Sequence, residues 1–222
     1  MVYRSDFYTC KPLAGVLLGN SVVYFIFLVA NGIFFRKTLE YYTNWTLVGQ
    51  SINSLALGVL HLKKYEAHTA APWVRNFIIM FLLPLQLATG VSVAVGITCL
   101  VPYTSMIDEG IAQYGKALVY SWNTAFHYVT ILIIFAYVTF DWGYVRLTFK
   151  HFSNSGIMQF GTGCSSSVLV FLTWASLNDP NVVYETAVDR YIMVLGIIAC
   201  QVLALACFYL VVYTATARAD KK

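Results

Sequence analysis

Charge is what this chain has least of. Asp, Glu, Lys and Arg make up 11% of its 222 residues, against roughly 25% in soluble domains. Proline is scarce too, with five in all. No repeat, low-complexity stretch or Pro/Gly/Ser-rich linker divides the sequence, so residues 1–222 are expected to form a single domain. The motifs of several enzyme classes are missing. There is no Gly-rich phosphate loop, no Gly-x-Ser-x-Gly elbow and no His-Glu-x-x-His pair, which argues against phosphate-loop, α/β-hydrolase and helical zinc-protease chemistry. The five cysteines (Cys10, Cys99, Cys164, Cys200, Cys207) have no metal-ligand spacing and read as small apolar packing residues. No metal and no cofactor are expected.

What is present is apolar: 59% of the residues. A soluble core of this size cannot hide that much apolar surface behind a wettable exterior, whereas lipid is itself an apolar solvent. Six apolar runs stand out, at Leu13–Phe35, Thr43–Leu62, Val74–Val101, Leu118–Asp141, Gly156–Leu177 and Tyr191–Thr214. Each is near the roughly 20 residues that a bilayer core requires. They lack strict alternation and are too long for strands, and in lipid a helix satisfies its own backbone. The fold class expected is all-α: a polytopic transmembrane bundle of six helices. The first run continues too far for the apolar core of a signal peptide and reads as a retained span.

The net charge of +4 finds its use in topology rather than in binding nucleic acid. Ten of the fourteen basic residues lie at the N-terminus (Arg4, Lys11), in loop two (Lys63, Lys64, Arg75), in loop four (Arg146, Lys150) and at the C-terminus (Arg218, Lys221, Lys222). The other loops hold only Arg36, Lys37, Lys116 and Arg190. The positive-inside rule then puts both termini in the cytoplasm. Trp45, Trp73, Trp142 and Trp174 fall near predicted helix ends, where an interfacial aromatic belt is expected. Asn44-Trp45-Thr46 matches a glycosylation sequon, but it abuts a span where an acceptor is hard to reach.

Polar residues inside spans are costly and often functional. Thr43, Thr46, Gln50 and Asn53 recur at steps of three and four, which puts them on one face of span two. Asn123 and His127 share a face of span four, with Thr130 just beyond. Interhelical hydrogen bonding explains such groups without any chemistry, but an imidazole at depth can also exchange a proton near neutral pH. Haem is not expected, because His61 and His127 lie at different depths. A proton pathway is not expected either, because no Asp, Glu, Lys or Arg lies centrally in a span.

Two stretches carry a resemblance. Tyr41-Tyr42-Thr43-Asn44-Trp45-Thr46 followed by Leu47-Val48-Gly49-Gln50, and Trp122-Asn123-Thr124-Ala125-Phe126-His127, resemble the androgen-induced and androgen-dependent TFPI-regulating protein family, which is related to the rolling-stone-like membrane proteins. Pro84 in span three, after Arg75, is a weaker match. The likeness covers roughly residues 41–139. It implies an intramembrane hydrolase of fatty acid esters of hydroxy fatty acids, with Thr43 as nucleophile and His127 as its base. This chain departs from the family in having Thr124 near the place where animal members commonly carry a second histidine.

The implied pair is chemically coherent. A threonine hydroxyl is a weak nucleophile until a base takes its proton. Asn123 or Asn53 would orient the imidazole or bind the oxyanion, with Gln50 and Thr46 nearby. Thr43 begins its span, however, while His127 lies about nine residues into span four, roughly 13 Å deeper. Either span two starts earlier, near Thr38, or span four is set outward, and the site faces the outer half of the membrane. The expected partners are membrane lipids and a long-chain fatty acid ester, in the endomembrane system or the plasma membrane. A second reading is a non-catalytic subunit or adaptor with protein partners in the membrane.

Overall fold

The structure is a computed structural model that describes residues 11–35, 41–62, 71–100, 105–140, 142, 145, 148, 156–184 and 188–219. Among them there is no strand. The chain forms α1 (Lys11–Phe35), α2 (Tyr42–Leu62), a third helix, a short α4 (Ser105–Tyr114), a fifth helix, α6 (Gly156–Leu177), a short α7 (Pro180–Tyr184) and α8 (Arg190–Ala219). The third and fifth helices, α3 over 71–100 and α5 over 116–140, each contain one π-helical turn, Ile78–Leu82 and Ala125–Val129. The short helices α4 and α7 lie in segments expected to be loops.

The turn in α3 has a cause in the sequence. Pro84 has no backbone N–H to give the carbonyl four residues back, and its ring crowds that turn. Just before it the helix widens, and Leu83 donates its N–H to the Ile78 carbonyl, five residues away. Backbone bonds freed by a proline must be made up locally in an apolar setting, and the π-turn does so. No proline accompanies the second turn, which carries His127 at its centre.

α3 lies at the middle of the bundle, packed by α2, α5, α6 and α8. α1 lies almost wholly against α2. Their antiparallel contact is built on small residues. Ser21 Oγ donates to the Ser51 carbonyl at 2.9 Å, Ser51 Oγ donates to the Ser21 carbonyl at 3.1 Å, and Asn20 Nδ2 donates to Ser54 Oγ at 2.9 Å. One turn on, Gly58 lets α1 come in so close that a Cβ there would stand 2.8 Å from Leu18 Cγ. α6 and α8 are also antiparallel, with Tyr213 Oη donating to Gln159 Oε1 at 2.9 Å. Between α4 and α5 the chain reverses at Gly115, whose φ of +84° is open to glycine at little steric cost.

Four helical stretches among the described residues are long and apolar enough to cross a membrane: Lys11–Ala30, Val74–Gly96, Met158–Leu177 and Arg190–Ala215. The outer faces of the first, third and fourth carry Val22, Phe25, Ile26, Leu169, Leu195, Leu203 and Leu210, all exposed. Such apolar faces suit lipid and not water. α2 has 21 residues, but it is more polar than these four, and the apolar stretch described in α5 is the shorter His127–Phe140.

Two expectations about side chains change. Trp174 is 0% exposed. It is enclosed by Tyr42, Phe171 and Tyr184, with ring centroids 5.4, 5.8 and 5.9 Å away, and so belongs to the core rather than to an interfacial belt. Arg75, counted above among the loop charges, is a fully buried residue of α3. Cys99 and Cys207 lie on exposed helix faces, and only Cys164 and Cys200 are half-buried. Cys10 and Thr38 lie outside the described residues.

Candidate functional site

The polar face read from α2 is present in the bundle. Thr43, Thr46, Gln50 and Asn53 are all buried, whereas Val48, Ile52, Leu55 and Val59 on the other side of the same helix are exposed. This reverses the soluble arrangement, with polar groups inward and apolar groups outward, a pattern that suits lipid. Thr46 Oγ1 donates to the Tyr42 carbonyl one turn back at 3.3 Å. Gln50 lies in the same buried face a turn further on.

Thr43 sits in the first turn of α2, where backbone N–H groups lack helical partners. Tyr184 of α7 supplies one. Its phenol oxygen accepts the Tyr42 N–H at 3.2 Å, and Thr43 bonds to the same oxygen through both its side chain and its backbone. Burial pushes the Tyr184 hydroxyl up to about 12, against the opposing pull of the Thr43 bond. The phenol is therefore neutral at physiological pH, and it fixes both the helix start and the Thr43 hydroxyl.

Behind this turn a second set of polar groups crosses the bundle. Gln201 of α8 donates from Nε2 to Tyr42 Oη at 2.9 Å and to Ser92 Oγ of α3 at 3.5 Å. Ser92 Oγ donates to the Thr89 carbonyl at 2.8 Å, and Thr89 Oγ1 to the Gln86 carbonyl at 3.2 Å. Gln86 lies opposite Gly49, its Nε2 being 3.7 Å from where a Cβ on Gly49 would stand. The two contacts, Tyr42 level with Ser92 and Gly49 level with Gln86, run in opposite directions along the sequence, so α2 and α3 are antiparallel.

His127 is half-buried in the π-turn of α5, a turn that packs on α3. The neighbouring Tyr128 hydroxyl lies 2.6 Å from Thr98 Oγ1, only two residues from the end of α3 at Leu100. The π-turn of α5 is thus set toward the same end of the bundle as Thr43. Ser92 and Thr98, where the two turns meet α3, are six residues apart, about 9 Å of helix. The side chain of Asn123 lies outside the described residues.

Tyr184, Ser92, Gln86 and Gln201 were not singled out from the sequence. A glutamine in an otherwise apolar span was a usable signal for two of them. Nothing local marked Tyr184, because its partner is more than 140 residues away. No group of His, Cys, Asp and Glu among the described residues could hold a metal ion. No protein-family model, curated protein or solved structure matches this chain.

Proposed function

We propose that this chain is a multi-pass membrane enzyme that hydrolyses fatty acid esters inside the bilayer. The observation that carries the reading is the buried polar face of α2, with the Thr43 hydroxyl fixed at its head and the His127 turn set toward the same end of the bundle. The likeness of the Thr43 and His127 stretches to the androgen-induced family supports it. In this reading α2 and α5 are also spans, six in all, and both termini are cytoplasmic.

The chemistry follows from the two side chains. Thr43 Oγ attacks the ester carbonyl while His127 takes its proton. His127 then gives that proton to the departing alkoxide oxygen, leaving an acyl-threonine. A water molecule deprotonated by His127 attacks the acyl carbon, the Thr43–acyl bond breaks, and Thr43 Oγ regains the proton. Each transfer needs about 2.6–3.2 Å or one bridging water. The reading therefore includes an inward movement of the π-turn onto α2. Turns of this kind recur at functional sites. The acyl chains enter sideways from lipid.

The rival is a non-catalytic membrane subunit whose buried polar groups only hold helices together, with partners in the same membrane. Purified protein is treated with a fluorophosphonate probe and, separately, with a long-chain ester of a hydroxy fatty acid. Labelling and turnover in the native chain, both lost in Thr43→Ala, support the hydrolase. Equal labelling and turnover in Thr43→Ala would overturn it.

A further inference from the structure

Buried polar groups are hydrogen-bonded as a rule, and each exception calls for a reason. In lipid the rule is stricter, since no water is at hand. At the seam between α2, α3 and α8, Gln86 and Gln201 are such exceptions. Gln86 is 6% exposed and Gln201 is 0% exposed. Among the described residues, Gln86 Nε2 and Gln201 Oε1 have no hydrogen-bond partner. The first is a donor and the second an acceptor.

We propose that Gln86 and Gln201 form a binding site for the polar head of an uncharged, hydroxyl-bearing acyl lipid. An ester carbonyl oxygen accepts from Gln86 Nε2, and a hydroxyl of the same molecule donates to Gln201 Oε1. Gly49 of α2 borders this site, the Gln86 amide lying 3.7 Å from where a Cβ on it would stand.

Charge decides the ligand class. α2 carries no Asp, Glu, Lys or Arg, nor does α3 beyond Arg75, nor α8 between Arg190 and Arg218. The seam offers only amides and hydroxyls: Thr46, Gln50, Thr89, Ser92 and the two glutamines. A phosphate or carboxylate brought there would lose its water without meeting a counter-charge, whereas a glyceryl or hydroxy ester loses far less and gains two hydrogen bonds. The site goes beyond the hydrolase reading, because it holds whether or not Thr43 cleaves what is bound.

Binding separates the two claims. The full-length protein in detergent micelles is titrated with 1-monooleoylglycerol, methyl oleate and sodium oleate at neutral pH. The native chain should bind monooleoylglycerol about tenfold more tightly than methyl oleate, which leaves Gln201 Oε1 unpaired, a loss of about one hydrogen bond. Oleate should bind more weakly still. Gln86→Leu should weaken monooleoylglycerol binding about tenfold while raising the thermal midpoint of the ligand-free protein, since a buried unpaired amide is removed. Gln201→Leu also removes the bond to Tyr42, so it is read through preference alone, which should fall to near parity between the two esters. Equal affinity of the native chain for all three probes would overturn the proposal. So would unchanged binding in Gln86→Leu, or a lowered midpoint, which would make Gln86 a packing residue. Hydrolysis is not read in any arm, so its failure leaves this result intact.

Discussion

The Tyr184 hydroxyl lies 3.2 Å from the backbone nitrogen of Tyr42, so a residue of the short helix α7 closes the first turn of α2. A helix start is commonly capped by the residue just ahead of it. Here the cap comes from a distant part of the chain, and it also binds the side chain proposed as nucleophile.

Removing that hydroxyl should loosen α2 at its head. Tyr184→Phe keeps the ring contacts with Trp174 and Tyr41 but loses the cap. A cost of about 1 kcal/mol is expected, in the range of lost helix caps. Thermal unfolding in detergent gives the cost, and amide exchange at residues 42–44 locates it. Unchanged exchange there would mean that the cap does not hold the turn.

The same residue sets a pH dependence. Its hydroxyl is raised to about 12 from an ordinary value of about 10, so folding favours the protonated form. The Tyr184 contribution is complete below pH about 10, where the unfolded phenol begins to ionise, and is lost as the pH rises through about 12. The stability gap between the native chain and Tyr184→Phe should be constant from about pH 7 to 10 and then narrow. A gap still constant at pH 12 would count against the buried, neutral phenol.

Gly58 sets the closeness of α1 and α2. Ala there places a Cβ 2.8 Å from Leu18 Cγ and 3.3 Å from the Leu18 backbone nitrogen. Overpacking of this kind costs about 1–3 kcal/mol. Combining Gly58→Ala with Leu18→Ala should recover part of the loss, because the side-chain clash is gone while the backbone contact remains. Unfolding midpoints of the four proteins form a double-mutant cycle, and strict additivity would show that the two residues do not meet.

Catalysis by a Thr43–His127 pair predicts strong non-additivity. Thr43→Ala and His127→Ala should each abolish ester turnover, and the double variant should be little worse than either. Thr43→Ser should retain some activity, since a hydroxyl stays in place. Stability of His127→Ala should drop by no more than about 2 kcal/mol. Multiplying losses would dismantle the unit proposed here.

Six spans with cytoplasmic termini predict that epitope tags at both ends resist an external protease in intact cells. Both should be cut once the membrane is permeabilised. Cleavage of either tag in intact cells would reverse the topology.

Hydrophobicity and helical period were enough to show an all-helical chain, with four helices among the described residues long and apolar enough to cross a membrane, and the inward face of α2, because both signals are local. The steps Thr43, Thr46, Gln50, Asn53 can lie on one side only if the segment is helical, and lipid leaves that side nowhere to go but inward. Pro84, read from the sequence only as part of a resemblance, stands where α3 departs from regular geometry, for a local reason. The cap by Tyr184, the burial of Trp174 and Arg75, and the seam through Ser92 and Gln201 were decided by tertiary structure alone. Each depends on which helices become neighbours and at what height. A single glutamine or tyrosine has no period to reveal its partner, and the same Trp174 fits a lipid interface or a packed core until α7 folds over it.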